Sequence, residues 1–391
     1  MSFLCRSSKL TRNTSYLFKY YKNIVVGHTH DNIRRFTSSA KKSRSFVKLG
    51  LVGVTLGGVI GTGYSIHQLN QPKTHILNEE VAIPLIENPP EIPPSKKIRI
   101  PGDQSGLKLT LYQYQTCPFC CKVRAFLDYY GISYDVIEVD PVLRQSIKWS
   151  PYKKVPILLV NVGENKYQPL NDSSMIISAL SSVLRDSKRD IEEITGYYPF
   201  ISFQDEDGSI KKDIMNKYFL MLGENADRLK SLDDINEERK WRKWADQVLV
   251  HVLSPNVYRT REEALQAFGW FSEVAEWDKH FPVWEKYLMV YVGAYAMWLV
   301  GKRLKKRHHL KDDVRQSLYD ECNYWVKEVN KKGTPFMGGK EPNLADLSVY
   351  GILSSIEGCD AFQDLLKKSN IKTWYYNMKE AVTKHQGCEF A

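Results

Sequence analysis

Tyr112-Gln113-Tyr114-Gln115-Thr116-Cys117-Pro118-Phe119-Cys120, with Val155-Pro156 thirty-five residues beyond Cys120, is the stretch that decides the fold of this chain. Upstream, Leu107-Lys108-Leu109-Thr110-Leu111-Tyr112 alternates apolar and polar residues as a half-buried strand does. Downstream, Val123, Phe126, Leu127 and Tyr130 recur at helical spacing until Gly131 stops the helix. Pro118 suits the first helical turn, where its missing N–H leaves nothing unsatisfied. Cys117 thus falls at a helix N-terminus, where unpaired amides and the helix dipole favour a thiolate. Cys120 lies one turn further in and is the less exposed of the two. A Cys-x-x-Cys at such a junction is a thiol active site.

The next elements extend the pattern. Tyr134 to Val139 reads as a second strand closed by Asp140-Pro141, a short helix spans about 142–148, and Val155 to Val160 is a third strand. Asn171-Asp172-Ser173-Ser174 caps an apolar helix that begins at Met175. The order β-α-β-α-β, then a short returning strand and a helix, is α/β and thioredoxin-like, over 105–190. In such a fold Val155-Pro156 is where a cis-proline stands beside the thiol. The main chain at Val155 pairs with the backbone of a peptide-like thiol, while Asp172 and Ser173, at a helix N-terminus, meet its charged γ-glutamyl end. Asp172 and Ser173 also serve as ordinary cap residues, and the two roles are compatible. Tyr114 has two readings: a hydroxyl donor to a thiolate or to developing negative charge, or a loop aromatic packed on the domain face. Phe119 lines a ligand pocket. Cys121 reads as a packing residue.

Residues 195–391 read as helix and carry eight of the nine tryptophans, which at helical spacing indicate core. Tyr287 to Val300 is an uncharged run too short to span a bilayer, and it is expected to be a buried helix. The basic run from Lys302 to His309 reads as a solvated helix, with contact to acidic lipid headgroups as the alternative. Asn343 and Asp346 stand three residues apart in a capping-box arrangement. At the other end of the chain, residues 1–48 hold eleven Lys or Arg against one acid, Asp31, which is the entire formal net charge of +10. A neutral remainder argues against a nucleic-acid partner. The basic, acid-poor stretch 1–45 suits a mitochondrial-type targeting leader. Residues 46–66 form a weakly apolar stretch rich in glycine, read as a single membrane anchor. The paired prolines of 67–104 suggest an extended spacer. Seven scattered cysteines do not make a disulfide framework, and one Cys-x-x-Cys without a second pair disfavours a structural zinc site, so no metal is expected.

A thioredoxin-like unit followed by an all-helical domain opened by Asn343-Leu344-Ala345-Asp346 resembles the glutathione transferase superfamily. The runs Leu111 to Cys120, Lys122-Val123-Arg124-Ala125-Phe126-Leu127-Asp128, Tyr152 to Leu158 and Leu170 to Ser174 are similar to the type 2 family of membrane-associated prostaglandin E synthases. The resemblance implies an isomerase converting the lipid endoperoxide prostaglandin H2 to prostaglandin E2. It implies Cys117 and Tyr114 at the reacting centre, Cys120 beside them, and glutathione at Val155, Pro156, Asp172 and Ser173. It further implies haem bound through the glutathione sulfur, a homodimer, and a Golgi, perinuclear or mitochondrial membrane, with a soluble form after N-terminal processing. Three rival functions are a glutaredoxin-like oxidoreductase working through both Cys117 and Cys120, a glutathione transferase, and a haem- or glutathione-binding protein.

Overall fold

Six strands build the main sheet: β1 (Ile86–Glu87), β2 (Lys96–Ile98), β3 (Leu109–Gln113), β4 (Tyr134–Glu138), β5 (Ile157–Gly163) and β6 (Lys166–Asn171). Their order across the sheet is β1-β6-β5-β3-β4-β2. Only β3 and β4 run parallel, with Leu111 opposite Val136. The computed structural model describes residues 83–390, apart from residues 187, 205–208, 224–230 and 309. The expected leader 1–45 and anchor 46–66 lie outside the described residues. Among the described residues no helix is long and apolar enough to cross a membrane.

The two-residue period of β3 explains why the sheet has two packed faces. Leu109 and Leu111 join the core under α1 (Pro118–Tyr129) and α2 (Ser173–Arg185). Tyr112 points the other way, into a smaller cluster with Ile137, Ile147, Ile157 and Leu159. Trp149 covers that cluster, edge-on to Tyr112 at 5.4 Å. The helix expected at 142–148 is only a single 3₁₀ turn, Gln145–Ile147. Asp140 accepts the amides of Val142 and Leu143 and closes a turn there. Arg144, with φ 51°, then stands in the left-handed region, where a helix cannot propagate.

The stretch expected to be a spacer contributes β1 and β2, one at each edge of the sheet. Its described prolines fall before, between and after these short strands, where no ladder hydrogen bond is needed. A second departure follows α3 (Ile191–Thr195). There β7 (Phe200–Gln204) and β8 (Ile210–Ile214) form a two-stranded antiparallel hairpin in a region read as helix throughout.

The helical unit then begins. α4 (Leu232–Trp244), a π-helical turn (Ala245–Leu249) and α5 (Val250–Val257) run on as one rod. α6 (Arg261–Val274) and the short α7 (Trp277–His280) lead to a second rod. That rod is α8 (Val283–Tyr287), a π-helical turn (Leu288–Gly293) and α9 (Ala294–Arg307). α10 (Val314–Lys331), α11 (Leu344–Ser354), α12 (Asp360–Lys368) and α13 (Ile371–Thr383) complete it. Trp241, Trp325 and Trp374 are buried and meet edge-on, as core tryptophans should.

α11 crosses α1 so closely that a Cβ on Gly351 would stand 2.5 Å from the Lys122 Cα, so only glycine lets the two backbones meet there. The head of α11 carries the expected capping box. Asn343 accepts the amides of Ala345 and Asp346, and Asp346 accepts the Asn343 amide in return. Tyr287 to Val300, by contrast, is not buried. The second rod packs through Met289, Ala294 and Gly301, while Tyr287, Tyr291, Val292 and Tyr295 are each more than half exposed.

Candidate active site

Cys117 is the N-cap of α1, with Pro118 at the first helical position. Its amide donates to the Tyr114 carbonyl at 3.1 Å and its carbonyl accepts from Cys121 at 2.9 Å, so the turn holds it from both sides. The Cys117 side chain is half-buried and Cys120 is buried. The Cys120 thiol donates to the Cys117 sulfur, which is the foremost cause holding Cys117 below the ordinary thiol value; burial opposes this, while the Cys120 and Phe119 amides and Arg124 add to it. Burial pushes Cys120 well above that value, and the neighbouring Cys117 adds to the rise. One thiol of the pair ionises and the other is its hydrogen-bond donor. Cys121 points away, with its thiol donating to the Gln115 carbonyl at 3.4 Å and the Arg124 guanidinium 3.1 Å from its sulfur.

Tyr114 is half-buried, and no hydrogen bond joins its hydroxyl to the sulfur. Burial holds its phenol above the ordinary value, so it stays a protonated donor at neutral pH. The loop between Tyr114 and Cys117 is tied down by Glu138, which accepts the Gln115 amide at 2.6 Å and the Gln113 side chain at 3.1 Å. Burial pushes that carboxyl up to about 7.

The Val155-Pro156 peptide is cis. Val155 is half-buried, and among the described residues nothing hydrogen-bonds its main chain. Asp172 has φ 71° and caps α2 with one oxygen, accepting from Ser174 at 2.8 Å and Met175 at 3.3 Å. Its other oxygen stands 3.7 Å from the Lys217 ammonium. Ser173 is buried beside it. The donor set fits glutathione: an unpaired main chain beside the thiol, and a capped helix terminus with a carboxylate and an ammonium for its charged end. Tyr152 stands near both halves, its phenol raised first by burial and then by Asp172, Cys120 and Cys117.

A cavity of about 210 Å³ opens next to the thiol. Thr116, Pro118 and Phe119 wall one side; His251, Ser254 and Tyr258 of the helical unit stand across it. The sequence reading placed Phe119 at a pocket but missed the opposite wall. The available signal was polar residues at i, i+3 and i+7 in the apolar run from Val248 to Tyr258. It also missed Lys217 and Tyr152, for which no local pattern exists. His251 stacks on His308 with ring centres 4.4 Å apart. Burial, then His308 and Arg307, hold His251 below the ordinary imidazole value. Among the described residues no group of three His, Cys, Asp or Glu gathers as metal ligands.

The glutaredoxin family model matches residues 109–162, the segment from β3 to the end of β5. A solved beta-etherase from Sphingobium sp. strain SYK-6 aligns with 71% of this chain and 98% of its own, at 17% identity and a TM-score of 0.41. Prostaglandin E synthase 2 of Danio rerio is 48% identical over 280 residues, 71% of this chain and 72% of that protein. Prostaglandin E synthase 2 of Mus musculus is 45% identical over 338 residues, which cover 85% of this chain and 81% of that protein. The chain belongs to the prostaglandin E synthase 2 family. In this member of the prostaglandin E synthase 2 family, the glutaredoxin-like segment supplies the unequal thiol pair and the cis-proline, and the helical unit supplies the far wall of the cavity.

Proposed function

We propose that this chain is a prostaglandin E synthase, isomerising prostaglandin H2 to prostaglandin E2 at Cys117. The observation that carries the reading is one half-buried, easily ionised thiol beside a cavity walled by both apolar and polar side chains, with a protonated tyrosine nearby. The Cys117 thiolate takes the proton from the ring carbon that bears one peroxide oxygen. The freed electron pair closes the ketone as the O–O bond breaks, and the departing oxygen leaves as an alkoxide. Tyr114 hydrogen-bonds that alkoxide, which takes up the proton and becomes the hydroxyl. Atoms and electrons balance with no net redox change, so one working thiol suffices.

Glutathione would be held at Val155, Pro156, Asp172 and Ser173, and when bound it supplies a second thiol. Haem, which the resemblance places on the glutathione sulfur, would be held by the same residues that hold glutathione, and no step is routed through it. The test is turnover of prostaglandin H2 by the full-length protein in detergent, with and without glutathione. Prostaglandin E2 formed no faster than in buffer would sink the reading. Thiol-disulfide exchange is the second reading, favoured by the hydrogen bond between Cys120 and Cys117.

The basic leader and the stretch 46–66 support a single-pass membrane protein of a Golgi, perinuclear or mitochondrial membrane. The exposed aromatic face of the second rod supports a homodimer. Tyr291→Asp with Val292→Asp is expected to convert the dimer to a monomer in sedimentation equilibrium, because each charge placed in an apolar interface costs several kcal/mol, on the order of the whole advantage of pairing. An unchanged mass would move the interface elsewhere.

A further inference from the structure

The head of α1 and the head of α2 meet over a buried polar cluster that plays no part in the reaction described above. Lys122 lies on the helix that Cys117 caps, and its side chain is fully buried. Its ammonium donates to the Ser174 hydroxyl at 2.9 Å and to one oxygen of Asp246. The other Asp246 oxygen accepts from the same Ser174 hydroxyl at 2.6 Å and from the Tyr218 hydroxyl at 3.1 Å. Ser174 lies in the first turn of the helix that Asp172 caps, and its amide is one of the two that Asp172 holds. Four residues before Asp246, the buried Arg242 donates to the Ser174 carbonyl at 2.9 Å and to the Ser178 hydroxyl at 2.8 Å. One carboxylate therefore reaches both helices whose heads form the thiol site.

Asp246 stands on the π-helical turn Ala245–Leu249. Such turns are rare, and those that occur are frequent at functional sites. A buried ion pair seldom gains net stability over an apolar pair of the same size, so stability alone does not account for this one. What the pair does specify is geometry. It contributes no atom to the cavity next to Cys117, yet it ties the thiol's helix to the helix of Asp172 and Ser173, with its anchor in the helical unit.

We propose that Asp246 is a positioning residue of the peptide-thiol site, setting Cys117 against Asp172 and Ser173 through Lys122 and Ser174. The inference rests on the reading that Val155, Asp172 and Ser173 hold glutathione. It also makes the glutaredoxin-like segment dependent on the helical unit for the shape of its own ligand site.

The experiment uses the full-length protein, isothermal titration with glutathione, and thermal unfolding. Asp246→Asn keeps the size of the side chain and an acceptor, and it is expected to weaken glutathione binding by about tenfold or more. The double variant Lys122→Met with Asp246→Leu removes both charges and is expected to melt no lower than the unaltered protein. Its glutathione affinity nevertheless stays about tenfold down or worse if the pair acts by positioning. Recovery of both melting temperature and affinity in the double variant, or affinity within about twofold in Asp246→Asn, overturns the proposal. Unaltered protein that takes up no glutathione overturns the glutathione reading and this inference with it. Unaltered protein that binds, with variants that bind equally, overturns this inference alone.

Discussion

Cys117→Ser is expected to lose roughly three orders of magnitude or more in turnover of prostaglandin H2, as loss of a reacting side chain usually does. Cys120→Ser is expected to keep turnover within roughly fivefold, because serine still offers a donor to the Cys117 sulfur. The asymmetry follows from the environments of the two thiols: Cys120 is buried and held neutral, and its hydrogen bond is the first cause of the easy ionisation of Cys117. Cys120→Ala removes that donor, so the pH midpoint for alkylation of Cys117 by iodoacetamide should rise. A Cys120→Ser protein as inactive as Cys117→Ser would overturn the one-thiol reading and favour disulfide exchange through the pair.

The second large effect lies far from the thiol. Asp346 is fully buried and accepts four hydrogen bonds, from the amides of Asn343, Met337 and Gly338 and from the Trp374 indole. Asp346→Ala strands those donors and removes half of the capping box, which should cost roughly 3–4 kcal/mol. Asp346→Asn keeps one acceptor and should cost about 1–2 kcal/mol. Burial pushes the carboxyl up to about 6 from 3.8, so its ionisation opposes folding. Its contribution is complete below the lower value and is lost as pH rises toward the upper one. The gap in melting temperature between the unaltered protein and Asp346→Asn should therefore be widest near pH 4 and narrow by about pH 6. A gap that widens over that interval would contradict the assignment.

The legible part of the molecule was the part with local signals. Strand alternation at Leu109 to Tyr112, proline behind Cys117, Val-Pro at 155–156 and the Asn343 to Asp346 cap each act within one or two turns of chain, and each stands in the structure. Two- and three-residue strands such as β1 and β2 are too short to leave a period, so they passed as spacer. The hairpin of β7 and β8 had a signal, Asp207-Gly208 between alternating runs, that the many aromatics downstream overshadowed. The apolar run from Tyr287 to Val300 was misplaced because hydrophobicity says that a face wants cover and not what covers it. Lys122 and Asp246 are 124 residues apart, and nothing in either neighbourhood announces the other.

The two shortest strands also bear on how the protein can be cut. Residues 86–98 reach from one border of the sheet to the other, with β1 laid on β6 and β2 on β4. A protease acting upstream of Ile83 leaves both borders sealed. One nick among Asn88 to Pro94 would loosen both straps and uncover two unpaired ladders ready to recruit strands from other chains. Protein cut ahead of that stretch should therefore stay dispersed, whereas protein cut within it should precipitate.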